Sequence, residues 1–210
     1  MWNQPENQIK LVFIRHGATE SNKEQRYLGR EDEPLSREGK KELLRLKEKG
    51  CYQQIDYLFT SPMKRCLESA RLLYPDKEAV IIPEWKEIDF GVFEGKNYRE
   101  LKGDMRYQTW LESNGTLPFP EGESQEAFKL RSGCGFQRML KELSTLTKEN
   151  QNSSKTVGMV VHGGTIMAVL NKYCGGQYFD YQVSNGGGYT ATLAGCLEEP
   201  AIVELRRMRL

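Results

Sequence analysis

Leu11-Val12-Phe13-Ile14-Arg15-His16-Gly17 is a short apolar run that stops at an imidazole, with glycine just beyond to let the backbone turn. The pattern recurs at Val157-Gly158-Met159-Val160-Val161, which ends as His162-Gly163-Gly164-Thr165. These are the only two histidines in 210 residues. Apolar runs of this kind suit strands covered on both faces, as in a parallel sheet between helical layers. Histidine is the side chain best matched to proton transfer and nucleophilic attack near neutral pH. A chain that ends two strands in its only histidines brings them together.

The surrounding sequence continues the alternation of strand and helix. Ser36 to Lys49 reads as a helix with Ser36 as N-cap, Leu43 and Leu46 on its buried edge and Gly50 as its stop. Tyr57–Thr60 reads as a strand. Ser61-Pro62 then opens a helix with proline in its first turn, running to about Tyr74 with Met63, Leu67, Ala70 and Leu73 on one face. Ala79–Ile82 and Thr156–Val161 are further strands, Thr165–Tyr173 a helix, and Tyr189–Leu193 with Ala201–Leu205 two closing strands. Between them, Lys96 to Gly122 breaks the rhythm as a small helical excursion, and Glu123 to about Asn150 reads as a long returning helix that contains Gly133 and Gly135. The expectation is a single α/β domain over residues 1–210. It has three layers (α/β/α), a mainly parallel central sheet and the 96–122 excursion over the C-terminal strand edge.

Composition narrows the function classes. Lys plus Arg number 30 against 29 Asp plus Glu, so no global charge points to nucleic acid or an anionic membrane, and any anion site must be local. The basic end Arg206-Arg207-Met208-Arg209 reads as solvated charge. Cys51, Cys66, Cys134, Cys174 and Cys196 form no C-x-x-C pair and leave an odd count, which argues against structural disulfides and for a reducing compartment. The first residues carry neither a basic nor an apolar leader pattern, and no apolar run reaches membrane-spanning length. The expected location is the cytoplasm; oligomeric state is not legible. Trp2, Trp85 and Trp110 read as packing residues, with Trp110 near the mouth of any pocket. Gly186-Gly187-Gly188 reads as a turn into the strand at Tyr189.

Open α/β sheets bind ligands beyond the carboxyl ends of their strands. His16, Arg65, Glu87 and His162 all come to that edge from separate segments, with Arg15 beside His16. Two guanidiniums, two imidazoles and a helix start make an anion site, because arginine forks match phosphate oxygens and helix amides point outward.

Taken in order, the motifs resemble a known family. They are Arg15-His16-Gly17 with Thr19 and Asn22; Arg26-Tyr27-Leu28-Gly29; Asp32 with Pro34-Leu35-Ser36; Ser61-Pro62-Met63-Lys64-Arg65; Glu87-Ile88-Asp89-Phe90-Gly91 with Glu94-Gly95; Glu121-Gly122-Glu123-Ser124; and His162-Gly163-Gly164. This set is similar to the histidine phosphatase (phosphoglycerate mutase-like) superfamily over nearly the whole chain. The resemblance implies His16 as nucleophile through a phosphohistidine, with its other ring nitrogen donating to a backbone carbonyl. It implies Arg15, Arg65 and His162 around the phosphoryl group, and Glu87 as acid and then base. Thr19, Asn22, Gly29 and Gly163 join Arg15 and Arg65 as substrate-binding residues. It implies a small-molecule phosphomonoester as substrate, with no cofactor and no metal. Ala18 stands where many members carry Glu or Gln, and Glu121 where the phosphatases commonly carry glycine.

Mutases of that family carry a longer excursion with an adjacent arginine pair. Here Lys96, Arg99, Lys102 and Arg106 include no adjacent pair, so the phosphatase branch is favoured, and the alpha-ribazole phosphatases of cobalamin assembly are the members most resembled. Phosphoglycerate mutase and a non-catalytic phospho-ligand module remain the alternatives. A metal hydrolase lacks H-x-x-x-H spacing, and nearby arginines would repel a cation. Tyr98, Tyr107 and Trp110 are candidates to meet an aromatic leaving group, or to pack within the excursion.

Overall fold

The computed structural model describes residues 8–147 and 154–210. Trp2 therefore lies outside the described residues, as does the far end of the helix expected to reach Asn150. The centre is a six-stranded sheet in the order β3-β2-β4-β1-β5-β6. Its strands are β1 (Ile9–Arg15), β2 (Tyr57–Thr60), β3 (Ala79–Ile81), β4 (Lys155–Val161), β5 (Gly188–Gly195) and β6 (Pro200–Arg207). The first four run parallel, whereas β5 is antiparallel to β1 and β6 to β5. The sheet is thus mostly parallel, with a hairpin on one side.

Alternation along β1 explains why its sequence reads as continuously apolar. Leu11 and Phe13 enter a core with Phe136, Met139 and Leu140 of α6 (Gln125–Leu146) and with Ile166 and Val169 of α7 (Gly163–Cys174). Val12 and Ile14 face the other way, into Leu43 of α2 (Arg37–Glu48) and Cys66, Ala70 and Leu73 of α3 (Lys64–Leu73). Successive side chains of a strand point to opposite faces, so a strand between two helical layers must be apolar at every position.

Helix starts follow local capping chemistry with one departure. Ser36 Oγ accepts from the Gly39 N–H and caps α2 as expected. Pro62, however, precedes α3 rather than sitting in its first turn: Met63 is the N-cap and the helix begins at Lys64. Ser61 Oγ is engaged by His162 and by the Met63 N–H, which holds residues 61–63 out of the helix. The buried face of α3 also differs, running through Arg65, Cys66, Ser69, Ala70 and Leu73 while Leu67 is only half-buried. An apolar count along the sequence misses a face that includes an arginine and a serine.

The excursion contains α4 (Tyr98–Leu101) and α5 (Met105–Glu112), with α1 (Glu20–Lys23) as a further short helix after β1. It packs through Phe93, Leu101, Tyr107, Phe119 and Phe128, with Tyr27, Phe90 and Trp110 at its margin. Its return turn is clasped backbone to backbone onto the Glu87 loop, by Val92 N–H to Pro120 C=O at 3.0 Å and Glu123 N–H to Asp89 C=O at 2.9 Å. Glu121 there has φ +59°, a left-handed conformation that glycine adopts without steric cost.

The two glycines inside α6 have different reasons. A Cβ on Gly135 would lie 2.6 Å from Cδ1 and Nε1 of the buried Trp85 indole, and 3.1 Å from Glu84 Cβ. A Cβ on Gly133 would meet only the mobile end of Lys172, with Nζ at 2.9 Å. Opposite signs follow for two alanine substitutions in one helix. Gly133→Ala should stabilise by about 0.5–1 kcal/mol through helix propensity, and Gly135→Ala should destabilise by about 1–2 kcal/mol through overpacking against Trp85. Urea unfolding of both variants checks this; stabilisation by Gly135→Ala would refute the packing account.

Candidate active site

The parallel pairing of β1 with β4 puts Arg15 opposite Val161, so the next residue of each strand, His16 and His162, leaves the sheet at the same edge. Their rings meet edge to face with centroids 5.2 Å apart. His16 is 3% exposed and hydrogen-bonds through Nδ1 to the Gly17 carbonyl at 2.7 Å. A carbonyl only accepts, so Nδ1 bears the proton. Burial, reinforced by the Arg65 and Arg15 charges, pushes the His16 pKa well below the usual 6.5. The ring is neutral, and Nε2 carries a free lone pair in the tautomer that a nucleophile needs.

The loop that carries this ring is braced on every side. The Gly17 N–H donates to Ser69 Oγ of α3, and Ser36 donates to the Ala18 carbonyl through both its backbone N–H and its hydroxyl. The Arg15 and His16 carbonyls both accept from the Gly186 N–H, while the Arg15 N–H donates to Gly187 C=O at 2.8 Å. Gly186, with φ +75°, and Gly187 therefore strut the histidine loop as well as turning the chain into β5.

His162 is fully buried and also held neutral, its pKa driven well below 6.5 by burial and then by Arg65, His16 and Arg15. Arg65 Nε donates to His162 Nδ1 at 3.3 Å, so the ring proton sits on Nε2 and is shared with Ser61 Oγ at 2.7 Å. Both ring nitrogens thus have protein partners.

Two guanidiniums flank the histidines, and among the described residues neither forms an ion pair with a carboxylate. Arg65 is fully buried and donates to the Glu31 and Gly29 carbonyls, each at 2.8 Å. Arg15 donates from one nitrogen to Val183 C=O at 2.7 Å, while its Nε is buried without a partner. Burial lowers the Arg15 pKa, opposed by the nearby Glu87; an arginine stays charged even so. The Gly163 N–H, in the first turn of α7 beside Arg15 Nε, has no acceptor among the described residues. Buried cationic donors without counter-charge, at a helix N-terminus, form a site for an anion with several acceptor oxygens.

Glu87 places a buried carboxyl at the same edge. Its pKa is raised because burial disfavours the carboxylate, partly offset by the Ile88 N–H on Oε1 at 2.9 Å and by the two arginines. Arg131 holds the carbonyls of Glu84, Lys86 and Glu87 and pairs with Glu123, which fixes the backbone beneath it. The cavity that opens here has a volume of about 510 Å³ and is lined by Arg15, Asn22, Arg26, Tyr27, Glu87, Phe90, Tyr98 and Asn185 among others.

The structure brings Arg15, His16, Asn22, Glu87, Arg65, His162 and Gly163 to one place, but it uses two other expected ligands differently. Thr19 is fully buried, and its hydroxyl caps α1 by accepting from the Asn22 N–H. Gly29 gives its N–H to Glu94 and its carbonyl to Arg65, and a Cβ there would lie 2.0 Å from the Ile88 carbonyl. Both take part in the framework: Thr19 caps α1, and Gly29 links Glu94 to Arg65. Of the excursion aromatics, Tyr98 lines the cavity, whereas Tyr107 is buried and stacks with Trp110 inside the excursion. Sequence reasoning missed Asn185, Ser61, Ser69 and Arg131 as supports, since each acts from a segment remote in sequence. The five cysteines are unpaired. Among the described residues no helix is long and apolar enough to cross a membrane, and no group of three or more His, Cys, Asp or Glu side chains is placed to hold a metal ion.

Comparison with known proteins agrees with this geometry. The family model of the histidine phosphatase superfamily (branch 1) matches residues 11–193. The chain is 26% identical over 188 residues to a 2,3-bisphosphoglycerate-dependent phosphoglycerate mutase of Bifidobacterium longum, covering 77% of this chain and 75% of that one. It is 32% identical over 120 residues to phosphoserine phosphatase 1 of Hydrogenobacter thermophilus, covering 55% and 57%. Its fold is similar to that of an alpha-ribazole phosphatase from Shigella flexneri, with a TM-score of 0.74 at 22% identity over 96% of each chain. A phosphoserine phosphatase mutant from Entamoeba histolytica, solved with phosphoserine, gives 0.66 at 29% identity over 94% of this chain and 96% of that one. Family match, sheet order and paired histidines lead to one conclusion: the chain belongs to the histidine phosphatase superfamily, branch 1.

Proposed function

We propose that this protein is a phosphomonoesterase that hydrolyses a small phosphorylated metabolite through a phosphohistidine at His16. One observation carries the reading. A neutral imidazole, its proton tied to the Gly17 carbonyl, stands beside two guanidiniums that lack carboxylate partners. In the first step His16 Nε2 forms a bond to phosphorus as the ester oxygen leaves, and Glu87 gives that oxygen its proton. In the second step water attacks phosphorus and the N–P bond breaks, with Glu87 taking the water proton. Arg15, Arg65, Asn22 and the Gly163 N–H spread the charge on the phosphoryl oxygens during both transfers. His162 serves the same charge from behind, by holding Arg65 and packing against the His16 ring.

Phosphatase is preferred to mutase because Lys96, Arg99, Lys102 and Arg106 offer no cation to the cavity. Arg106 is paired with Asp104, Arg99 lies over the Tyr98 ring, and Lys96 Nζ bonds the Val92 carbonyl. Nothing from the excursion then holds a phosphoglycerate carboxylate. The aromatic lining from Tyr27, Phe90 and Tyr98 favours a leaving group with an apolar ring, which makes alpha-ribazole 5′-phosphate the first substrate to try. Five unpaired thiols suit the cytoplasm.

His16→Ala should abolish turnover, and rapid quench with a labelled substrate should place an acid-labile phosphoryl group on His16; substantial activity in the variant would sink the nucleophile assignment. Rates on alpha-ribazole 5′-phosphate, phosphoserine and 3-phosphoglycerate, compared side by side, decide the leaving group, and dominant interconversion of phosphoglycerates would replace hydrolysis with mutase activity. The pH profile follows from two opposite shifts. His16 is competent when neutral, and its lowered pKa keeps it so until pH falls well below 6.5. Glu87 is competent when protonated, and its raised pKa extends that form above 4.5, so kcat/KM should decline as pH rises through it. Glu87→Gln should remove this basic limb and slow alkyl phosphates by about 100-fold or more, with a smaller loss on p-nitrophenyl phosphate, whose leaving group needs no proton. An unchanged basic limb in Glu87→Gln would assign it to another group.

A further inference from the structure

We infer that Asn185, on the loop before β5, is a positioning residue that sets which end of the Asn22 side-chain amide faces the phosphoryl group. The inference rests on the functional reading above and extends it to a residue outside the motifs. Its logic is the direction of donation. The Thr19 N–H lies 3.2 Å from the Asn22 side chain, and a backbone N–H only donates, so the atom facing it is the oxygen Oδ1. Asn185 approaches that same oxygen at 3.0 Å and the His16 carbonyl at 3.1 Å. Both are acceptors, so the Asn185 atom between them is the nitrogen Nδ2, and its two hydrogens are both used.

The consequence falls on the far end of Asn22. With Oδ1 held by two donors, its NH2 group is left with no acceptor among the described residues, in a side chain that lines the cavity. An amide turned the other way would present an oxygen to the phosphoryl oxygens and repel them. Asn185 also ties this choice to the nucleophile, because the same NH2 group holds the carbonyl of His16, which the Gly186 N–H supports as well. Its own segment is anchored independently by Tyr52 OH on the Gly186 carbonyl at 2.8 Å and by Arg15 on Val183. The strut is therefore rigid before any ligand arrives, as preorganised stabilisation of developing charge requires.

A double-mutant cycle on p-nitrophenyl phosphate tests this, with Asn22→Ala, Asn185→Ala and the pair. Asn22→Ala should lower kcat by about 100-fold, the usual scale for one lost donor. Asn185→Ala should lower kcat by about tenfold in the parent chain, and by less than about twofold once Asn22 is alanine, because the two act as one unit. An equal loss in both backgrounds, or no loss in the parent, would overturn the inference, since Asn185 would then act elsewhere or not at all. A second readout needs no turnover. The Asn22 side-chain NH2 signals, identified by their absence in Asn22→Ala, should shift when inorganic phosphate is added to the parent chain and shift less in Asn185→Ala. An unshifted signal in the parent, or an equal shift in both, also counts against it. Absence of hydrolysis on every phosphomonoester would instead refute the functional reading, and the phosphate titration would still report on the amide.

Discussion

The parallel register of β1 on β4 is the constraint on which the site depends. Because Arg15 pairs with Val161, the chain leaves both strands at one level, and two residues 146 positions apart in sequence become ring neighbours. A slip of one residue along this ladder would turn one strand's side chains to the wrong face and part the histidines. The apolar content of both strands prevents that slip, since Leu11, Val12, Phe13 and Ile14 are each committed to one of two cores. Packing, register and the geometry of catalysis are one problem with one solution.

Burial then does the electrostatic work. Taking two imidazoles and a carboxyl out of water biases the histidines toward the neutral form and Glu87 toward the protonated form, while the two arginines beside them have no carboxylate ion pair among the described residues. Such an assembly is costly without a ligand, and the protein limits the cost with carbonyls instead of carboxylates. Arg65 rests on Glu31 and Gly29, and Arg15 on Val183. Carbonyl dipoles hold the guanidinium planes in place without neutralising them, so their charge stays available to an anion.

The supports come from several separate segments. Ser69 of α3 holds Gly17, Glu94 ties the amides of Gly29, Arg30 and Phe90 together, Arg131 of α6 carries the backbone at Glu87, and Asn185 joins His16 to Asn22. The excursion is locked to the Glu87 loop by two backbone hydrogen bonds. The excursion is therefore continuous with the loop that carries Glu87.

By itself the sequence determined the α/β class, the strands and the strand-end histidines, and it nominated Arg15, His16, Arg65, Glu87 and His162 as candidates for one site. Those features are local: apolar runs mark strands, glycine marks the turns, and the candidate residues follow the strand ends. The tertiary structure alone decided what each polar group is bonded to. Thr19 and Gly29 look like ligands in a motif, and folding also ties them into the framework through Asn22, Glu94 and Arg65. Arg65 is fully buried although Leu67, expected on the inner face, is only half-buried, because the face of α3 is set by what packs on it rather than by its apolar count. Asn185 carries no signal at all in Val183-Ser184-Asn185-Gly186. Hydrogen-bond partners across more than a hundred residues leave no periodicity in a chain, and only folding brings donor and acceptor into reach.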